Sequence, residues 1–151
     1  MKKINQKLFM LTGLLLAASF TLFSFTTRWG GDSFTIHLND KLIVKQYVYA
    51  DKTIKAIELK ESNLNDELRI SYSHCGVVGK SRTITVKDQK DRVLKVWNFS
   101  DAQATMTCKV KDILGLEKED ISLRLFYSSA EMPKGHVLAS IETNSRSTVR
   151  K

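Results

Sequence analysis

The chain is poor in the residues that most often mark disulfide-rich, metal-binding or catalytic proteins. Its 151 residues include one proline, two cysteines and three histidines. Two cysteines are too few for a disulfide-rich scaffold or a four-thiolate zinc site. A single proline excludes collagen-like and proline-rich sequences. The composition therefore predicts an ordinary folded domain with few candidate catalytic groups.

Acidic residues are absent before Asp32, although the whole chain carries a net charge of +8. All 16 acidic residues lie from Asp32 onward, and they leave the body of the chain nearly neutral. Nucleic-acid binding needs a basic stripe on one surface to contact phosphates. Because the excess basic residues lie in the two terminal tails, we expect no nucleic-acid partner.

The N-terminal segment has the pattern of an export signal. A mostly apolar run at residues 8–16 is preceded by three lysines, namely Lys2, Lys3 and Lys7. Small residues follow the run, which places a cleavage site after Ser19 and a weaker one after Thr26. We therefore expect residues 1–26 to be a signal peptide.

An uncleaved membrane anchor is the alternative for the same segment. Residues 8–25 are just long enough to cross the hydrocarbon core of a bilayer. The lysines before the run would then hold the N-terminus inside and leave the rest of the chain outside. Both alternatives predict an exported domain that is periplasmic, secreted or held at the cell surface, with membrane contact only through an uncleaved N-terminal segment.

Short apolar–polar alternations follow, with no long helical period. Phe34, Ile36 and Leu38 alternate with polar residues, which is the period of a half-buried strand. Similar segments predict strands at residues 34–38, 42–48, 53–59, 67–74, 81–87, 92–99, 105–110, 121–127 and 137–143. One helical turn is predicted at residues 111–116.

Many short strands separated by turn residues are typical of β-sandwiches and small barrels. We predict an all-β fold, a single antiparallel β-sandwich of eight or nine short strands over residues 30–143. A small β-barrel is the alternative. Residues 144–151 are basic and almost free of apolar side chains, so we expect a disordered tail there.

The segment at residues 92–99 is apolar on both of its predicted faces. One face carries Leu94 and Val96, and the other carries Val93, Trp97 and Phe99. A strand that is apolar on both faces is usually buried on both, because neighbours cover it on either side. The pattern therefore predicts a central strand.

Two cysteines in an exported chain predict one disulfide bridge, between Cys75 and Cys108. Export places them in an oxidising compartment, which favours the bridge. The alternative is that Cys108, which shares the apolar face of its strand, is a small core residue. The immunoglobulin pattern is excluded, because Trp97 lies too far from the first cysteine and too near the second.

The segment at residues 74–82 is the most distinctive in the chain. It contains Gly-Lys-Ser, but it lacks the glycine spacing and the following helix of a phosphate-binding P-loop. Its two glycines and its basic side chains still suit a small anion pocket. We predict His74, Lys80 and Arg82 as the ligand-binding residues. A plain hairpin with charges that keep a sheet edge soluble is the alternative.

Other chemistries find no support in the sequence. Adjacent strand residues point to opposite faces, so His74 is poorly placed to activate Cys75. A copper site needs a compact ligand loop, and Cys108 and His136 are too far apart to form one. No pair of carboxylates is placed for glycoside hydrolysis. We therefore predict no catalytic residue, no metal ligand and no cofactor.

These observations favour a non-enzymatic exported β-domain that binds an unknown protein or glycan at the cell envelope. A small exported hydrolase on the same scaffold is one alternative, and it requires titratable side chains that converge in one cleft. A structural envelope subunit whose edge strands pair with a partner is another.

Overall fold

The computed structural model describes residues 31–116 and 122–144. The expected signal peptide or anchor at residues 1–26 and the expected tail beyond residue 144 lie outside these ranges. Within the described ranges, no helix has the length and apolar character that crossing a membrane requires.

Nine strands form the described domain, as the alternation of apolar residues predicted. They are β1 Ser33–Leu38, β2 Lys41–Tyr47, β3 Lys55–Lys60, β4 Glu67–Ser73, β5 Arg82–Lys87, β6 Val93–Phe99, β7 Met106–Lys109, β8 Leu123–Ser128 and β9 His136–Asn144. A 3-10 turn spans Glu61–Asn63, and one short helix, α1, spans Val110–Leu114. The prediction of an all-β fold with one helical turn is confirmed.

The strands form two sheets. The first has four strands in the order β2-β1-β4-β7, and the second has five in the order β3-β9-β8-β5-β6. Neither sheet of the described domain closes on itself, so the small-barrel alternative is not found. One pair departs from the predicted antiparallel pattern, because β3 runs parallel to β9. The chain leaves the first sheet after β2 and enters the edge of the second in the direction of β9.

The core draws its side chains from both sheets. In β1, Phe34 and Ile36 are buried, whereas the residues between them are only partly covered. In β5, Ile84 and Val86 alternate with threonines in the same way. These buried residues belong to a single apolar cluster. Strands of period two therefore place one face of each sheet in one shared core.

The prediction of a central strand at residues 92–99 is wrong. β6 lies at the edge of the five-stranded sheet and pairs only with β5. Val93 and Val96 point to the outer face and are exposed, whereas Trp97 and Phe99 pack against the core. The prediction failed because the apolar residues of the outer face were counted as buried.

The predicted disulfide bridge is also wrong, since no bridge joins Cys75 to Cys108. Cys108 is a buried core residue of β7 and pairs with Leu68 of β4. Cys75 follows the far end of β4, seven residues beyond Leu68 in sequence, which corresponds to roughly 20 Å along a strand. A disulfide needs α-carbons within about 7 Å. Burial raises the pKa of the Cys108 thiol to about 12.

Candidate functional site

Three turns, at residues 47–54, 74–81 and 129–135, lie at the same end of the described domain. The strand registers place them together, because Ser33 pairs with both Tyr47 and Ser73. The third turn joins them through hydrogen bonds of Tyr127 and Ser129 with His74. We call this end the His74 end, and we call the opposite end, with turns at residues 39–40, 61–66 and 88–92, the hairpin end.

The structure separates the three predicted ligand-binding residues. His74 is mostly buried, Lys80 is exposed in the turn, and Arg82 begins β5. Arg82 is 0% exposed. Its guanidinium donates to the backbone carbonyls of Ser100 and Ala104, at 2.7 and 3.3 Å, and also to that of Gln103. In this arrangement Arg82 fixes the segment after β6 and is not available to a ligand at the surface.

His74 lies at the centre of a buried polar network. Its Nδ1 is 3.0 Å from Oδ2 of Asp32. Its Nε2 is 3.0 Å from the hydroxyl of Tyr127 and 3.1 Å from Oγ of Ser129. Since an ionised carboxylate can only accept, the ring proton belongs on Nδ1, and Nε2 then offers one lone pair to the two hydroxyls. Only one of these hydroxyls can donate to Nε2 at a time.

Two stacked tyrosines enclose the network. The rings of Tyr72 and Tyr127 lie 4.1 Å apart and within 9° of parallel. The Tyr72 hydroxyl donates to Oδ2 of Asp32 at 3.1 Å, so that this oxygen accepts two hydrogen bonds. Burial raises the pKa of both Tyr72 and Tyr127. Both phenols therefore remain neutral donors in the physiological range.

The turn after β4 closes over this network. His74 and Val77 exchange backbone hydrogen bonds across Cys75 and Gly76, whose φ angles are 51° and 93°. Two positive φ values are typical of a type I′ turn. Gly79 then approaches so closely that a Cβ atom there would lie 2.6 Å from the Tyr127 hydroxyl. Only glycine fits at position 79 without displacing its neighbours.

Glu131 anchors the same turn from the opposite side. Its carboxylate accepts the backbone N–H of Lys80, at 3.0 Å to the nearer oxygen. This hydrogen bond is the main cause of the lowered pKa of Glu131. The carboxylate therefore stays ionised at neutral pH and fixes Lys80 by its backbone, which leaves the Lys80 side chain at the surface.

Sequence reasoning missed Asp32, Tyr127 and Ser129. The first lies 42 residues before His74, and the other two lie 53 and 55 residues after it. No local motif joins positions so far apart, because sheet pairing brings them together. One weak signal was present, namely that Asp32 is the first acidic residue of the chain and directly precedes the first strand.

Apolar side chains cover the outside of the His74 end. Tyr49 is 74% exposed and Val77 is 67% exposed, and three further large apolar residues of these turns and of the adjoining end of β2 are also exposed: Tyr47, Ile54 and Val78. Monomeric proteins rarely gather exposed apolar side chains in one region without an interaction to account for them. The His74 end therefore combines an inward-facing polar network with exposed apolar side chains on two of its turns.

The hairpin end contains a polar cavity of about 280 Å³, with walls formed by residues 64–67 together with Lys109 and Lys111. Both signs of charge line it. Asp66 accepts hydrogen bonds from Asn39 and Asn63, which lower its pKa. The carboxylate of Asp66 is therefore already bonded to two side-chain amides.

The His74 network can serve in one of two ways: it can hold the adjoining turns in place, or it can act as a catalytic triad. No three His, Cys, Asp or Glu residues of the described ranges are arranged to hold a metal ion. The order Asp32–His74–Ser129, however, is that of a carboxylate, base and hydroxyl nucleophile. No protein family, no curated protein and no solved structure matches this chain. Its function has to be argued from these residues.

Proposed function

We propose that the chain is an exported, non-enzymatic domain in which the two sheets pack as a β-sandwich. It binds a protein partner at the cell envelope through the His74 end. A small-molecule or anionic ligand at Lys80 is a weaker alternative, since Arg82 is buried and His74 already has three partners.

The observation that carries this proposal is the grouping of five exposed apolar residues on two adjoining turns, at residues 47–54 and 74–81. Loops on a rigid scaffold are where binding residues concentrate. Tyrosines are enriched in protein interfaces, and they also serve as platforms for sugars. The aliphatic side chains of Ile54, Val77 and Val78 can neither hydrogen-bond to sugar hydroxyl groups nor stack on a sugar as an aromatic ring does. This mixture of side chains therefore favours a protein over a glycan.

Envelope binding tests the proposal. The double variant Tyr49→Ser/Val77→Ser removes two exposed side chains from the His74 end, and we expect it to lose most of the binding of the purified chain to isolated envelope fractions. Leu42→Ser/Leu64→Ser is the matched control, because both leucines are exposed near the hairpin end. Equal binding by both double variants contradicts the proposal. Binding that is lost on glycan digestion but survives protease treatment identifies a glycan instead.

Export itself is tested by N-terminal sequencing. Chain recovered from the cell envelope or the medium is expected to begin after Ser19 or Thr26, or to begin at Met1 and remain with the membrane if the segment is an anchor. Soluble cytoplasmic protein with an intact Met1 contradicts export.

A hydrolase is the second candidate, and the alignment of Asp32, His74 and Ser129 favours it. In this chemistry, Oγ of Ser129 attacks an ester carbonyl while its proton passes to Nε2 of His74. The alcohol then leaves with that proton, and water hydrolyses the acyl-enzyme. Ser129 is only 5% exposed. A substrate therefore reaches Oγ only if the turn at residues 129–135 moves aside.

A fluorophosphonate probe separates the two functions. If Ser129 is a nucleophile, the probe labels the wild-type chain at Ser129 and does not label Ser129→Ala or His74→Gln. If the network is structural, the wild-type chain is not labelled, and the Ser129→Ala variant unfolds at a lower temperature while it retains envelope binding. We expect the second result, because the burial of Ser129 protects it from the probe.

A further inference from the structure

The two sheets of the described domain have four edge strands, and three of them are protected against pairing with another chain. β7 has only four residues. β3 carries Lys55, Glu58 and Lys60 on exposed positions. β2 points Lys45 outward beside Thr35. Short length and outward charges are the usual devices that keep an edge strand from adding a further strand.

β6 is the exception. It has seven residues, and its outer face carries no charge. The register with β5 places Val96 opposite Thr85 and Val93 opposite Lys87 on that outer face. Val96 is 46% exposed. An edge strand of this length whose outer face is uncharged lacks the usual protection against pairing with another strand.

The free edge of β6 is also held in place. Arg82 donates to the carbonyls of Ser100, Gln103 and Ala104, directly after the strand ends. The N–H of Ser81 donates to Asp101 in the same segment, at 2.7 Å. A pre-ordered edge loses little conformational freedom when another strand pairs with it.

We propose that β6 pairs with β6 of a second copy of this chain. The two strands run antiparallel about a twofold axis at Val96, and two five-stranded sheets become one continuous sheet. Such a contact is isologous, since the same surface serves both copies, and it closes after two chains. It is distinct from partner binding at the His74 end and does not depend on it.

The charge of β6 favours a second copy over an unrelated strand. Lys95 is the only charged residue of the strand, and its Nζ lies 5.6 Å above the ring of Trp97 in its own chain. Antiparallel pairing about Val96 places Lys95 of each copy opposite Trp97 of the other. Each ammonium thus meets an aromatic ring and no like charge. By contrast, self-pairing of β3 about its centre opposes Lys55 and Lys60.

Cysteine cross-linking on the full chain, expressed in cells, tests this arrangement. Val96→Cys in a Cys75→Ser background places one thiol of each copy at the axis, within disulfide range for directly opposed strand residues. Lys45→Cys in the same background is the matched control, because it is equally outward-facing on the edge strand β2. Mild oxidation is expected to convert most of the Val96→Cys chain, but not the control, to a product of twice the chain mass.

A second variant separates dimerisation from folding. Val96→Lys introduces a like-charge pair at the axis, and exposure of Val96 predicts that the fold is retained. We expect light scattering to give twice the monomer mass for the wild-type chain and the monomer mass for Val96→Lys, with matching circular dichroism. A wild-type chain that is monomeric throughout, cross-linking of the control as strong as that of Val96→Cys, or a Val96→Cys adduct with a different protein overturns the proposal.

Discussion

At the His74 end a carboxylate and a histidine bond to each other in the interior, whereas the hairpin end carries an ion pair that is open to solvent. Asp32 and His74 are mostly buried and bond to each other. At the hairpin end, Asp40 bonds to Arg69 at 2.8 Å with a side chain that is 93% exposed. A carboxylate–base pair therefore lies in the interior at the His74 end, while the hairpin end has both this solvated pair and a buried carboxylate, Asp88, bonded to the exposed Arg92.

This difference points to the His74 end as the functional region. A solvated ion pair is an ordinary surface feature and contributes little to stability. A buried polar network is costly unless every member is satisfied, and it fixes its surroundings when it is. At the His74 end the network links the turns at residues 74–81 and 129–135, and exposed apolar residues lie on the first of these and on the turn at residues 47–54.

Arg82 should be the most important polar side chain for stability. Arg82→Met removes the buried charged donor that three backbone carbonyls share, and we expect the free energy of unfolding to fall by roughly 3–5 kcal/mol. Lys80→Ala, two residues earlier and exposed, should change it by less than about 0.5 kcal/mol. Urea unfolding of both variants measures the difference. Similar small effects for the two variants contradict the scaffold role of Arg82.

Asp32 at the His74 end should contribute more to the free energy of unfolding than Asp40 at the hairpin end. Asp32→Ala leaves the Nδ1–H of His74 buried without an acceptor and the Tyr72 hydroxyl with only the weak acceptor Met132 Sδ, 3.8 Å away, which should cost about 2–3 kcal/mol. Asp40→Ala removes only a solvated partner of Arg69 and should cost at most about 1 kcal/mol. Chemical denaturation of the two variants compares them. A larger loss for Asp40→Ala reverses the assignment of the ends.

Gly79→Ala tests how closely the turn packs on the network. The added Cβ meets the Tyr127 hydroxyl at 2.6 Å and the His74 ring at 2.9 Å, and overpacking of this kind costs about 1–2 kcal/mol. Val78→Ala, at the exposed neighbouring position, is the control and should be close to neutral. Thermal unfolding gives both values. A neutral Gly79→Ala shows that the turn is free to move away from the network.

A smaller effect is expected from pH. Burial lowers the pKa of His136 below its ordinary value of 6.5. The unfolded chain therefore binds a proton at a higher pH than the folded chain, and His136 lowers stability as the pH falls below about 6.5. The variant His136→Gln should lose part of this acid destabilisation, while the variant His37→Gln, altered on the outer face of β1, serves as the control. Unfolding curves at pH 5 and pH 7.5 measure this acid destabilisation. Identical pH dependence of stability for the wild type and His136→Gln contradicts the role of His136.

Local patterns predicted the strands well and their neighbours poorly. Alternation in segments such as Phe34 to Leu38 reports which side chains of one strand share a face, and every predicted strand is found. The central position expected for β6 was wrong. Apolar residues on two faces of a strand do not show whether it has a neighbouring strand on one side or on both sides. The predicted bridge between Cys75 and Cys108 was wrong for a related reason. The distance between the two α-carbons depends on the register of β4 and β7.

The candidate site was predicted only at His74 and Lys80, both in a segment with an unusual local composition. Asp32, Tyr127 and Ser129 could not be predicted, since each is an ordinary residue in its own stretch of sequence. Arg82 was identified by its charge, but charge alone does not distinguish a surface residue from a buried donor.

The all-β class and the positions of the strands and turns could be predicted from the amino-acid order alone, because they follow from interactions between near neighbours and from the period of two. Sheet order, the parallel pairing of β3 with β9, the burial of Arg82 and the assembly of the His74 network were decided only in the tertiary structure. They depend on which strands meet across tens of residues, and the free energy that selects those pairings comes from packing of the whole core.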